Sequence, residues 1–485
     1  MAFSQTPGSG SGTTNHGLSA NAPSFTPSSR GRGRGRGAPR NGLAQTDSLL
    51  VAEISRETLD HTFTAGETKI TDFEHLASYN WLDDRHPTIA VPGVPSLLDT
   101  PSTPVQVRPD KGMHFVDQNG ARNPNSPLEP LFRSLFAVKP DFDVSAVDLV
   151  SDRNNIRKLL KFVNARTKGL SAKDKFEIKA EVVGDRTLLF TRVEPKTERW
   201  SNGTDNYGHN FEAAITKDHI GKSHHRIVSY DLGGLKIINR FECDAYLIPE
   251  IEPPAVESSI ESCADSSTAP SPLRRNPPRS CRPVTTPATL SNLLGGLAIA
   301  TPTPTTGSSL ADSGRVHSST LATNSSRYVP PARRGVQIRH QGSLIPASQT
   351  IEIKTRAASR VLDYHNILTQ MWISQTPHLV AGYFDPGGCF MKIDCNDMTL
   401  QIQEWEKRNE SNLQKLLTLI KWIRENLQNA EGKRGTLRFE GRGVLKVMGM
   451  EPDTCVPGTT RAQAQHRAAM RLKSLPDDLY AKWAR

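Results

Sequence analysis

The sequence predicts an α/β (α+β) protein whose strands and helices fall into two blocks separated by a long low-complexity insert, and three observations carry that prediction. Apolar and polar residues alternate in segments such as Phe176–Val182 and Thr350–Thr355, the period of a half-buried strand. Ile156, Leu159, Leu160 and Val163, and again Leu413, Leu416, Leu417, Ile420 and Ile423, repeat at helical spacing. Residues 1–45 and roughly 253–343 are Gly, Ser, Thr, Pro and Arg with few large apolar side chains, so neither can bury enough surface to offset its chain entropy. The expected organisation is a disordered Arg/Gly-rich arm (1–45), a first part of the core (46–252), a disordered Pro/Ser/Arg-rich insert (253–343), a second part of the core (344–450) and a basic tail (451–485).

Composition supports that division. A chain of 485 residues could hold two or three average domains, but only 36% of it is hydrophobic, and it carries 35 Gly and 34 Pro. Removing the two low-complexity stretches leaves one large or two modest domains. Residues 1–45 hold five arginines and no acid, and 253–343 hold nine arginines against four acids, so these stretches account for the whole formal charge of +10. Long-range attraction to nucleic acid would come from the arms, and a near-neutral core would need a local positive patch or metal ions. The six cysteines form no C-x2-C pair, so neither a zinc cage nor a disulfide framework is indicated, and a reducing compartment fits best. With no 18-residue apolar run and no hydrophobic signal core, we expect no membrane partner and a soluble protein of the nucleus or cytoplasm.

Taken in order, the chain opens with Arg30-Gly-Arg-Gly-Arg-Gly-Arg-Gly, a flexible cationic run of the kind that tracks RNA phosphates. Arg32, Arg34 and Arg36 are candidate RNA contacts; a solubilising tail is the plainer reading. The first clear structural pattern starts near Ile70, with the packed aromatic segment Phe73–Trp81 and then the proline-fixed Pro87–Pro95. Asp83-Asp84 is too small a carboxylate set for a diphosphate-binding magnesium cluster. A Ser or Asp cap before Ile156 predicts a helix, Phe176–Val182 and Thr187–Arg192 predict a hairpin around Gly184-Asp185, and Glu212 falls in the first or second turn of a further helix. His225–Tyr230 and Leu235–Phe241 read as strands. Within the insert, Leu290–Ile299 has the spacing of a leucine-rich export signal or a short docking helix, and Arg327–Gly335 sets Tyr328 among arginines. Beyond it come a strand at Thr350–Thr355, a helix at Val361–Ser374, a buried strand at Pro377–Tyr383, a helix at Leu413–Leu427, and strands at Leu437–Phe439 and Val444–Val447 that close the sheet.

Chemistry concentrates at Glu242-Cys243-Asp244. In a strand, residues i and i+2 project from one face, so the two carboxylates point together. Like charges side by side on a half-buried strand are costly unless a cation neutralises them, which makes a metal site the first hypothesis; two carboxylates facing water at a strand end is the bland one. Gly208-x-x-x-Glu212, Glu352-x-Lys354 and Gln375 add to the set. Carboxylates on several elements suit Mg²⁺ or Mn²⁺, which take hard oxygen ligands, and a neighbouring lysine can polarise the attacking water and offset transition-state charge. Glu177-Ile178-Lys179 has the same local spelling as Glu352-Ile353-Lys354. It precedes the other motifs and lacks the helix and glutamine behind it, so it reads as an ordinary strand face.

The motifs Gly208-His-Asn-Phe-Glu212, Glu242-Cys-Asp244, Glu352-Ile-Lys354 and Trp372-Ile-Ser-Gln375, in this order, resemble those of the DXO family of eukaryotic RNA-decapping nucleases, and Arg192 is similar to that family's first motif. The similarity spans roughly residues 150–450. The resemblance implies a mixed β-sheet nuclease core of the PD-(D/E)xK type flanked by helices, with two divalent cations in a pocket for RNA 5′ ends. It implies metal binding by Glu212, Asp244, Glu352 and the Ile353 carbonyl, with Glu242 joining directly or through water. Lys354 and Gln375 would position water and the scissile phosphate, and Arg192 would hold an RNA phosphate. Decapping or 5′-end pyrophosphohydrolysis, with 5′-to-3′ exonuclease action, is the activity implied, and a nuclear 5′-to-3′ exonuclease is the implied protein partner. His209 departs from the larger apolar residue usual in the family, and the insert lengthens a connection that is usually short, at a loop-entropy cost that grows only logarithmically. A non-catalytic RNA-binding or scaffold protein on a decayed nuclease core is the competing reading, and DNA cleavage a third.

Overall fold

The structure is a computed structural model that describes residues 50–63, 66–164, 174–204, 206–248, 335–449 and 473–484. Leu235–Cys243 lies in the middle of an eleven-stranded mixed sheet. On one side it is followed by Lys222–Leu232, Ile70–Leu82, Thr88–Gly93 and Gln337–Gly342; on the other by Leu149–Asp152, Thr187–Arg192, Phe176–Val183, Arg434–Phe439, Val444–Gly449 and Leu50–Ser55. The three central strands Leu235–Cys243, Leu149–Asp152 and Thr187–Arg192 are mutually parallel, while most of the flanking pairs are antiparallel. The mixed α+β architecture expected from the sequence is the one the chain adopts.

Strand periodicity divides the core. Leu149, Leu188, Ile237 and Val228 face one side with the helices Arg153–Val163, Tyr364–Ser374 and Glu410–Gln428. Their immediate neighbours Val150, Leu189, Ile238 and Ile227 face the other, against Glu129–Val138 and the chain's end. Each central strand is thus buried on both faces, which is why these runs read as continuously apolar.

A second mixed sheet of seven strands is built around Thr350–Ala357, which pairs in parallel with His378–Phe384 through the crossover helix Tyr364–Ser374. The two sheets meet where Leu235–Cys243 ends: Asp244 follows, and Ala245–Tyr246 then joins the second sheet, with Ala245 opposite Ile351. This junction places Glu242 and Asp244 beside Thr350–Ala357. A two-stranded ribbon, Lys111–Phe115 with Glu198–Asn202, stands apart from both sheets.

Three expectations shift. The first described strand lies ahead of the pattern near Ile70, inside the expected 46–252: Leu50–Ser55 pairs with Val444–Gly449, and helix Arg56–Thr62 is capped by Ser55, whose hydroxyl accepts from the Thr58 amide at 3.0 Å. The second block begins before 344, because Gln337–Gly342 pairs in parallel with Thr88–Gly93 and Arg339 reaches Asp84 at 2.9 Å. At the C-terminus, residues 473–484 pack into the core rather than forming a polar tail. Trp483 is buried and donates to the Thr187 hydroxyl at 2.8 Å, and the Tyr480 hydroxyl donates to Glu181 at 2.7 Å. The arm, the insert up to 334 and residues 450–472, with the motifs expected in them, lie outside the described residues. Among the described residues no helix is long and apolar enough to cross a membrane.

Candidate active site

A cleft of about 700 Å³ opens at the junction of the two sheets and is lined by Glu212, Glu242, Asp244, Ile353, Lys354 and Arg192, among others. A cavity of about 720 Å³ beside Glu410–Gln428 holds none of these residues.

Each acidic group is fixed by its element. Glu242 is exposed on the last turn of strand before the junction, between buried Phe241 and Cys243. Asp244 accepts from the Ile353 amide at 2.7 Å, so the carboxylate is locked to the neighbouring strand. Glu212 comes from the helix Gly208–Ala214, whose first turn is held by Asp110: its carboxylate accepts from the amides of His209 at 3.2 Å and Asn210 at 2.9 Å. Phe211 points the other way, fully buried, stacking on Phe390 at 4.1 Å. Gly382 lies beneath that ring. A methyl group there would meet Phe211 at 2.3 Å, so the helix can approach only because the position has no side chain. Gly382→Ala is expected to cost about 1–3 kcal/mol through overpacking and, by displacing Phe211, to move Glu212 out of place; thermal unfolding and an RNA-hydrolysis assay read the two effects separately.

Electrostatics tie the acids to one another. Burial, then the charges of Asp244 and Glu242, push the Glu212 carboxyl well above its ordinary range. Burial, then Glu352, raise Asp244 to about 7. Glu352 goes the opposite way: burial would raise it, but Arg153 and Lys354 outweigh that and hold it at about 2. Arg153 donates to Glu352 Oε2 at 2.8 Å, and Lys354 binds Oε1 and donates to the Ile353 carbonyl at 3.0 Å, with Asp244 at 3.9 Å.

The donors fit a divalent cation in kind. Glu212, Asp244 and Glu242 offer hard oxygens, and the upward shifts of Glu212 and Asp244 are those of buried acids crowded by like charge, which a cation would relieve. Among the described residues no three such side chains stand close enough, as placed, to hold a metal ion. Glu352, one of the expected ligands, is engaged elsewhere: both its oxygens are taken by protein cations, and it does not line the cleft.

Gln375 is also absent from the cleft. It ends the helix Tyr364–Ser374 in the left-handed region, φ +50°, and its amide nitrogen donates to the Trp372 carbonyl at 2.6 Å. Arg192 is where the motif order places it, on the cleft and paired with Glu194 at 2.8 Å. Arg32, Arg34 and Arg36 lie outside the described residues. Glu177 of the decoy pairs with Arg438 at 2.8 Å on the sheet, and neither it nor Lys179 lines the cleft.

Arg153 is the residue that sequence reasoning missed. It is the first residue of the helix Arg153–Val163, where a cation opposes the helix dipole. That misplaced charge was the available signal of an acidic partner.

Fold and cleft together define a class: α+β proteins in which two mixed sheets meet at an acidic, arginine-flanked cleft. Within it, the chain belongs to the family described as a domain of unknown function (DUF8563), whose model matches residues 54–281 and 312–454. No curated protein matches the chain. Solved structures similar to it include Rai1 of S. pombe, at 12% identity and TM-score 0.45, covering 82% of this chain and 99% of that one. Candida albicans Rai1, in complex with pU5-Mn²⁺, has 10% identity and TM-score 0.47, covering 90% and 98%. K. lactis Dxo1, in complex with manganese, has 10% identity and TM-score 0.42, covering 84% and 99%.

Proposed function

We propose that the chain is a divalent-metal-dependent hydrolase acting on RNA 5′ ends, removing a cap or other end group. The observation that carries this reading is the convergence of Glu212, Glu242 and Asp244 on one cleft with Lys354 and Arg192. Glu212, Asp244 and Glu242, with the Ile353 carbonyl, are the residues that would hold Mg²⁺ or Mn²⁺. Such a cation, when bound, supplies Lewis-acid polarisation of the phosphoryl group. Lys354 presents its ammonium where charge develops on the phosphate oxygens. Arg192 exchanges Glu194 for a phosphate of the RNA, an interaction its planar fork suits. Glu352 is a positioning residue in this scheme, holding Lys354 and Arg153 in place. Arg32, Arg34 and Arg36 add sequence-independent attraction that weakens with salt.

A second reading has one observation in its favour: Arg153 and Lys354 already neutralise Glu352, as they would in a non-catalytic RNA binder on a decayed core. Incubating 5′-labelled RNA with Mn²⁺ or Mg²⁺, with and without chelator, separates the two. Metal-dependent release of the 5′ label supports the hydrolase; intact RNA binding with no metal-dependent product decides for the binder.

A further inference from the structure

The cleft carries polar groups to which the proposed hydrolysis gives no task. Gln118 lines it and is only 6% exposed, yet neither its amide oxygen nor its amide nitrogen has a protein partner. His225 lines it too, 5% exposed, with Nδ1 likewise without one. Leaving a buried polar group unmatched costs about 1–3 kcal/mol, so such groups call for an explanation. A core amide satisfied by its neighbours does not describe Gln118.

The surroundings are rigid. On one side of Gln118 the Asp117 carboxylate accepts from the Gly120 amide at 3.0 Å. On the other, Asn119 Oδ1 accepts from the Tyr79 hydroxyl at 2.6 Å and from Trp81 Nε1 at 3.0 Å. The Tyr79 ring also stacks on His225, with centroids 5.0 Å apart and planes 4° from parallel. One aromatic thus braces both unpartnered groups. Burial, then Arg240, lower the His225 pKa to about 3, so the imidazole is neutral near pH 7. Phe115, 40% exposed and with the Arg122 guanidinium 5.3 Å from its ring centre, lines the cleft three residues before Gln118 and offers apolar surface.

We propose that Gln118 and its neighbours in the cleft read a nucleobase of the RNA 5′ end next to the acidic residues, with the Gln118 amide hydrogen-bonding the base edge, His225, opposite Glu242 in the sheet, beside it and Phe115 against the ring. The inference rests on the reading of the cleft as an RNA 5′-end site. An amide with both atoms free presents a donor and an acceptor side by side, which matches a base edge and not a phosphate; phosphates fall to Arg192. A glutamine amide pairs in two places with adenine N6 and N7, so adenine is the base it favours. Stacking on Phe115 is tolerant of sequence, which leaves the discrimination to Gln118.

The test is equilibrium binding of 5′-phosphorylated tetranucleotides that differ only in the first base, followed by fluorescence anisotropy on the full chain in EDTA, where no metal-dependent cleavage takes place. We expect the wild type to bind the 5′-A oligonucleotide about 5- to 150-fold more tightly than the 5′-U one, the range of a two-point amide–adenine pair. Gln118→Met, which conserves volume, removes that preference and leaves 5′-U binding unchanged. Gln118→Glu, nearly isosteric but without amide donors, removes it as well, and thermal unfolding confirms that both variants fold. Equal binding of all four bases by the wild type, or a preference that survives both substitutions, overturns the proposal while leaving the RNA-end reading intact. Absence of any oligonucleotide binding, both in EDTA and again with Ca²⁺ added, overturns both.

Discussion

Lys354→Ala is expected to lower metal-dependent release of a 5′ label from RNA by about 10²–10³-fold in kcat, the loss seen when one electrostatic donor to a transition state is removed. Lys179→Ala, in the identically spelled Glu-Ile-Lys, leaves the rate unchanged. The contrast follows from placement. Lys354 lines the cleft and is bound to Glu352, with the Ile353 carbonyl at 3.0 Å and Asp244 at 3.9 Å, so its ammonium is aimed before substrate arrives. Burial would lower its pKa, but Glu352 and Asp244 outweigh that and keep it charged. Lys179 stands opposite Thr191 and Thr436 in the middle of the large sheet and lines no part of the cleft. Glu352 keeps Arg153 as partner in the Lys354→Ala variant, so the fold is retained and single-turnover kinetics measure chemistry. The reverse result, loss with Lys179→Ala and not with Lys354→Ala, overturns the assignment.

Arg240→Met is expected to have the largest effect on stability, about 3–5 kcal/mol, as breaking a buried ion pair leaves the partner's charge unpaired. Arg240 is 1% exposed and forks onto Asp152 at 2.6 and 2.9 Å, while also donating to the Pro127 carbonyl at 2.8 Å and the Tyr79 hydroxyl at 3.2 Å. It therefore ties two parallel strands to the loop before helix Glu129–Val138, beneath the cleft. Urea unfolding measures the loss. Arg240→Met with Asp152→Leu recovers part of it, because the stranded carboxylate is gone. Arg408→Ala, which breaks the exposed pair with Glu404, changes stability by less than about 1 kcal/mol.

The legible parts of the site were those written at a spacing of two. Glu352 and Lys354 lie on one strand, where that spacing alone puts side chains on one face, and Asp244 sits in the one-residue break after the strand that carries Glu242, with both lining the cleft. Glu212 depended on motif order, since nothing in a helical turn says which strand it will face. A glutamine after a helix can serve a site or close the helix end, and the left-handed Gln375 turns its amide to Trp372.

What escaped was written in tertiary contacts. Gln337–Gly342 is a polar edge strand with no apolar alternation, and only Val336 is buried next to it, so composition assigned it to the insert. The last residues looked like a tail because Leu475, Leu479 and Trp483 are sparse among charges, yet all three are buried against the large sheet. Gln118 and His225 carry no motif at all. Their meaning comes from being buried without a partner.

The proposed function requires Glu212, Asp244 and Glu242 to draw together on a cation, since as placed no three such side chains among the described residues stand close enough to hold one. Calorimetric titration of Mn²⁺ into the full chain tests it without relying on any activity. The account predicts saturable binding to the wild type that is lost in the Glu212→Gln/Asp244→Asn double variant and kept in Glu177→Gln. Absence of binding to the wild type, or binding that the double variant retains, contradicts it.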